Sequence, residues 1–429
     1  MFGASMSTDP VKTTSYKVVL PFYAYASIAF FAATLLLLFS APAFGRHYFH
    51  PHVIAITHTM ALGWGTMVIL GASHQLVPVL IEGKLYSNIL AHLSFVLAAV
   101  GIPLLVYAFY TFNMNWMARR GGEFVIDAVV VYLINMGISM AKSKTENVHA
   151  VFVFTAGLWL LMTTVVGLLL VYNFTTPVFA EDSLHYLSLH AHMGIIGWFL
   201  LLIIGVGSRL IPMFLISKYT NASLLWWVYI LINLGLIAFA FMFLYMLPVY
   251  FYLLPVAAVT TALLLFGYYC RQAYRQRLRK QVDEQLKISV LSVLMMALPV
   301  ILLIIMIISL WVAGENIRLV LAYGFTVFFG WITAIILGMT FKTLPFIIWN
   351  KVYHKKAGLG KTPNPKNLFS NRIFTGMAVL YLTGFVLFVT GILLSVVFIL
   401  QIAALLLLLA AVLYNFNVMK IILHKPAIL

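Results

Sequence analysis

The chain has 429 residues, of which 64% are hydrophobic and 8% charged, and its mean hydropathy is +1.06. Soluble domains carry roughly a quarter charged residues, so this composition excludes a soluble enzyme and requires lipid as the solvent. The net charge of +16 does not call for nucleic acid, because the basic residues sit in loops, and the single cysteine, Cys270, excludes a disulfide framework or a thiolate metal cluster built from this chain alone.

Uninterrupted apolar stretches predict twelve membrane-spanning helices, at 17–40, 52–81, 87–111, 123–141, 148–173, 184–216, 222–246, 249–270, 288–312, 317–349, 372–392 and 396–420. The polar stretch ahead of the first lacks the short apolar core and cleavage site of a signal peptide, so no processing is expected. The fourth segment is short and carries Glu123 and Asp127, four residues apart on one helix face. That spacing suits a proton relay, or two ordinary carboxylates wetted at a peripheral helix end. With twelve spans and a cytoplasmic N-terminus, the loop with Arg271, Arg275, Arg277, Arg279, Lys280 and Lys287 falls inside. So does the loop with Lys351, Lys355, Lys356, Lys361 and Lys366, together with Lys142, Lys144, Lys218 and Lys420. Only Arg46, Arg119, Arg120 and Arg318 fall outside, an asymmetry that orients both termini to the cytoplasm and explains the net charge as topology and anionic-lipid contact.

A repeat runs through the chain. His58 is followed at offsets 6, 13 and 20 by Trp64, Gly71 and Pro78; His192 by Trp198, Gly205 and Pro212; Phe325 by Trp331, Gly338 and Pro345; and Gly63, Gly197 and Gly330 precede each Trp. A second chance copy of the Gly, Trp, Gly and Pro positions has odds on the order of one in a thousand, before the third is counted. Capping residues Ser87, Asn221 and Ser370 stand just ahead of the third, seventh and eleventh segments. The expected fold is all-α integral membrane, twelve helices as three four-helix units (1–145, 146–287, 288–429) around a pseudo-threefold axis, with three pores.

Seven of twelve histidines gather at the outer face: His47, His50, His52 and His58 near the second segment, and His185, His190 and His192 near the sixth. The first three suit a wet interface. His58 and His192 lie about two turns into apolar helices, where an ionisable side chain is costly enough to point to function. Two neutral imidazoles facing each other across an apolar slot suit haem iron, and the Gly-rich, Trp-bearing faces around Trp64 and Trp198 suit a flat ring. Residues two apart on a helix differ by about 200°, so His190 and His192 can point into the two pores flanking the sixth segment. Metal-ligand candidates are therefore His58, His192 and His190, then His52 and His185. On the inner face stand His74, His92 and His149, able to hold a second haem or a quinone headgroup, or simply to sit at an interface. His74 lies about 24 Å from His58 along a straight helix, so the two cannot share a metal. Arg209 and Lys342, one step past the positions equivalent to His74, suit snorkelling to headgroups or contact with haem propionates.

In this arrangement, and in segments such as HAHMGIIGWFLLLIIGVGSRLIPMF, the chain resembles subunit I of the haem-copper oxygen and nitric oxide reductase superfamily and its simpler haem- and copper-containing bacterial relatives of the nitric oxide response. The resemblance implies that His58 takes the place of a low-spin haem ligand, and that His192 or His190 matches the helix-six histidine that binds copper in full enzymes. The chain departs from the family in the seventh and tenth segments, which carry no histidine, so a standard haem-copper binuclear centre is not expected, and copper there is not predicted. The implied function is a haem b protein of respiratory type, an inner-membrane oxidoreductase in outline, partnered by lipid and by a quinol or cytochrome c donor, with a small gas ligand and no nucleic acid. The histidines also suit a non-redox transporter or assembly factor that passes copper or haem across the membrane.

Overall fold

The computed structural model describes residues 14–143, 147–278, 284–353 and 362–426. Lys144, Arg279, Lys280, Lys355, Lys356 and Lys361 of the expected cytoplasmic loops lie outside them. Among the described residues the chain is helical, without strands, and has twelve helices long and apolar enough to cross a membrane. They are α1 (Tyr16–Phe39), α2 (Pro51–Leu80), α3 (Asn88–Tyr110), α4 (Trp116–Ala141), α5 (Val148–Asn173), α6 (Leu187–Leu215), α7 (Ala222–Leu244), α8 (Val249–Arg275), α9 (Leu291–Val312), α10 (Ile317–Tyr353), α11 (Asn371–Leu394) and α12 (Val397–Ile422). Each coincides with a predicted segment. The largest difference is α4, which starts seven residues early, because its first turns run through a polar end where Arg120 pairs with Glu123 at 2.7 Å.

The helices are not equivalent in depth. The most apolar windows of α2, α6 and α10 are 78%, 67% and 72% buried, against 44% or less for the other nine, so three helices form the interior and nine surround them. The outer nine show lipid-type surfaces, with Ile89, Leu264 and Phe398 among the most exposed side chains. Ser87, Asn221 and Ser370 cap α3, α7 and α11 by accepting from the backbone N–H of Leu90, Leu224 and Ile373.

Each interior helix contains one π-helical stretch, Thr59–Thr66 in α2, Met193–Leu200 in α6 and Thr326–Ile332 in α10, beginning on the residue after His58, His192 and Phe325. Such stretches widen the helix and re-aim the side chains at their margins. Small residues of the interior helices admit close neighbours: a side chain on Gly197 would meet Trp159 of α5 at 2.6 Å, and one on Gly71, beyond the π-helical stretch of α2, would meet Phe22 of α1 at 2.6 Å. The indoles bind the interior helices together. Trp64 Nε1 donates to Thr333 Oγ1 of α10 at 3.1 Å and Trp198 Nε1 donates to Thr66 Oγ1 of α2 at 2.9 Å.

Candidate functional site

Three of four histidines on the interior of the bundle are built the same way. The Nδ1–H of His58 donates to the carbonyl of Ile54 (2.8 Å), that of His74 to Leu70 (2.6 Å) and that of His192 to Ser188 (2.8 Å), each one helical turn back. A carbonyl can only accept, so each of these rings carries its proton on Nδ1 and presents a bare Nε2 lone pair away from its own helix. The fourth, His190, is packed against Gly167 of α5, where a side chain would stand 2.8 Å from His190 Cε1, and its buried Nδ1 has no hydrogen-bond partner.

The structure brings together His58 and His190. Their ring centres are 6.2 Å apart and their planes differ by 19°. Both line a narrow cavity of about 140 Å³ between α2 to α6, walled by apolar side chains and by Gly122, Gly167 and Gly194. Phe109 of α3 packs on His58 at 4.5 Å. His192 is on the other side of α6. Its Nε2 accepts from the hydroxyl of Tyr323 of α10 at 3.3 Å, and it lines a second cavity of about 450 Å³ among α6, α7, α8, α9 and α10. The position equivalent in the repeat, Phe325, is sealed in an aromatic stack with Phe329 at 4.6 Å and Phe388 at 4.3 Å.

Both His58 and His192 also face a wide vestibule of about 680 Å³ at the histidine-rich end, which Glu181, Asp182 and Glu315 line. Tyr48 donates to Glu315 Oε1 at 2.6 Å; burial and this carboxylate hold the phenol well above its ordinary value, so Tyr48 stays a donor. His185 is exposed and lines both the vestibule and the second cavity. His47, His50 and His52 line none of these cavities: His52 stacks on Tyr110 at 4.1 Å, and burial, His52 and Arg46 lower the proton affinity of His50.

Trp198 borders the His58–His190 cavity, whereas Trp64 stacks on Phe30 at 4.6 Å away from it. At the opposite end His74 is fully buried between Phe22 and Tyr132, and His149 donates from Nδ1 to Ser208 Oγ at 2.8 Å, since the Ser208 proton goes to Gly205. His92 lies half-buried on α3. Among the described residues no group of three or more His, Cys, Asp or Glu is placed to hold a metal ion. Glu123 accepts from Tyr172 at 3.0 Å as well as from Arg120, while Asp127 is exposed, which parts the two carboxylates. Tyr323, Ser188 and Gly167 carry no signal in the sequence, because each acts through a neighbour more than a dozen residues away or through a carbonyl. No family model matches the chain, and no curated protein matches it.

Proposed function

We propose that the chain is a haem b-binding membrane protein of respiratory type, carrying electrons or handling nitric oxide or oxygen at one haem held by His58 and His190. The ring pair carries this reading. The two rings, with centres 6.2 Å apart, are the residues that would hold a haem iron between them, each through one ring nitrogen. His58 offers Nε2 because its other nitrogen is committed to Ile54, the backbone anchoring that orients metal-binding imidazoles. Haem supplies a one-electron couple when bound. The chain's part is to hold both rings at fixed separation, exclude water with apolar walls and expose one end of the site to the vestibule.

The cavity of about 140 Å³ is below the roughly 300–1,000 Å³ of ordinary ligand pockets and smaller than a porphyrin needs. This volume favours one other reading, a non-redox assembly factor or transporter for copper or haem, in which the same pair takes the smaller cargo, copper. Purification and an absorption spectrum separate them. The first reading expects stoichiometric haem reducible by dithionite, and the second expects labile metal without haem. His58→Ala and His190→Ala should each abolish the Soret band without preventing insertion, and the wild-type spectrum in both variants would place the site elsewhere.

The membership of the haem-copper superfamily and the three-unit architecture belong to the same proposal. The indoles support it: Trp64 of the first unit reaches Thr333 of the third, and Trp198 of the second reaches Thr66 of the first, so each indole donates to the residue two places after the indole of a neighbouring unit. The Tyr132 ring on His74 (5.5 Å, 81°) and the Tyr414 ring on Phe341 (5.7 Å, 81°) are further matched pairs. The asymmetry of the basic loops supports a bacterial-type inner membrane with both termini in the cytoplasm. Labelling from outside intact cells should leave a cysteine at Ala357 unreacted, and reaction there would invert the topology.

A further inference from the structure

The arginines of the chain are not spread as its lysines are. With the expected topology six of them fall at the end of the bundle opposite the vestibule, and five of these, Arg209, Arg271, Arg275, Arg277 and Arg279, belong to the second unit. The sixth is Arg372, and the basic loop at 351–366 holds lysine only. The asymmetry that orients membrane helices counts lysine and arginine alike, so topology does not account for the choice. The two side chains differ toward phosphate: a guanidinium presents a planar fork that binds two oxygens at once, whereas an ammonium is a point charge.

On α8 two of these arginines continue a lipid-facing stripe. The most apolar window of α8 is 17% buried, the least of the twelve. Leu264, Tyr268, Arg271 and Arg275 lie within an arc of about 60° on a regular helix. Leu264 is 70% exposed and Tyr268 51%, and both arginines are exposed. A side chain on Gly267, beside the stripe, would meet nothing within 4 Å, so the surface there is open. Over about 16 Å the stripe passes from hydrocarbon through an interfacial phenol to two cations, the order in which a phospholipid presents its acyl chain, glycerol and phosphate. Arg271 and Arg275 are helical neighbours about 6 Å apart at Cβ, so one phosphate can meet both forks. Arg277 is turned back instead, over the Tyr274 ring at 3.7 Å and donating to the Tyr274 carbonyl at 2.8 Å. No acidic residue occurs between Asp182 and Asp283, and Arg120 with Glu123 forms the one ion pair among the described residues, so no described carboxylate pairs with Arg271 or Arg275.

We propose that this face of α8 binds one acidic phospholipid of the phosphatidylglycerol class, with its phosphate between Arg271 and Arg275 and an acyl chain along Tyr268 and Leu264. A zwitterionic lipid fits less well, because its ammonium would stand beside two guanidinium groups with no described carboxylate to receive it. The lipid would complete the surroundings of the least buried helix of the bundle. This goes beyond the haem reading and is scored without haem.

The test is native mass spectrometry of the purified full-length chain, delipidated in detergent and titrated with dioleoylphosphatidylglycerol or dioleoylphosphatidylcholine. The wild type should hold one phosphatidylglycerol about tenfold more tightly than phosphatidylcholine, the effect of charge-assisted hydrogen bonds to the phosphate. The double variant Arg271→Lys with Arg275→Lys keeps the charge and removes both forks, and it should bind the two lipids about equally. Arg372→Lys, the same exchange at the sixth arginine, should leave the preference unchanged, and circular dichroism would confirm that the variants are folded. Equal binding of the two lipids by the wild type, a full preference in the double variant, an equal loss in Arg372→Lys, or displacement of the lipid by millimolar inorganic phosphate would each overturn the proposal.

Discussion

The two cavities flanking α6 differ in what their histidine meets. On one side His190 faces another imidazole, His58, across a tight apolar slot. On the other, His192 meets a phenol that satisfies it, at the edge of a cavity three times larger. One helix, through two residues spaced by a single alanine, thus serves a ligand-pair geometry and a hydrogen-bonding geometry. The lesson is that side-chain type alone does not set the chemistry of a buried imidazole; the partner across the gap does.

The sharpest way to break this contrast is at Gly167, whose missing side chain admits the His190 ring. A Gly167→Val branch would collide with Cε1 at 2.8 Å and push the ring from His58. Haem affinity should fall about 10–100-fold, the effect of disturbing a ligand's supporting contact, measured as haem per chain. Next, His192→Ala should leave the Soret band in place while His190→Ala removes it, which sharpens the difference between neighbours two residues apart.

Smaller effects concern the indoles. Trp64→Phe and Trp198→Phe each remove a made hydrogen bond and leave a buried threonine, so each should cost about 1 kcal/mol in thermal unfolding. Leu200→Thr should instead stabilise by about 1 kcal/mol, by pairing Trp331, whose buried Nε1 has no hydrogen-bond partner because Leu200 stands where the rule puts its acceptor. Destabilisation by Leu200→Thr equal to that of Trp64→Phe would break the cyclic rule. The smallest effect is one of pH. His50 binds its proton less readily in the folded chain than in the unfolded chain, so stability is full above the ordinary imidazole value and declines as pH falls through it. His50→Gln should flatten that decline in melts taken across acidic pH.

Much of this was legible in the sequence. Length and hydropathy place all twelve helices, because a bilayer leaves a polar backbone no other option, and the caps at Ser87, Asn221 and Ser370 read directly from side-chain chemistry. The spacing of His190 and His192 predicts rings in opposite directions, and the two do face different cavities. The choice of His190 over His192 as the neighbour of His58 is not readable there, because it depends on which face of α6 packs toward α2, which contacts between distant residues such as Trp198 and Thr66 set. Nor is the orphaned Trp331, whose meaning depends on Leu200, a residue unremarkable until the helices are placed side by side. Glu123 and Asp127 share a helix face on paper, yet Tyr172 and Arg120 claim one and solvent the other.

The central claim, that His58 and His190 share one haem, is tested most directly by the reduced-minus-oxidised spectrum of the purified wild-type chain beside its His190→Ala and His192→Ala variants. The account predicts a low-spin haem b spectrum in the wild type, unchanged in His192→Ala and absent in His190→Ala. A wild-type spectrum in His190→Ala, or its loss in His192→Ala alone, would contradict it.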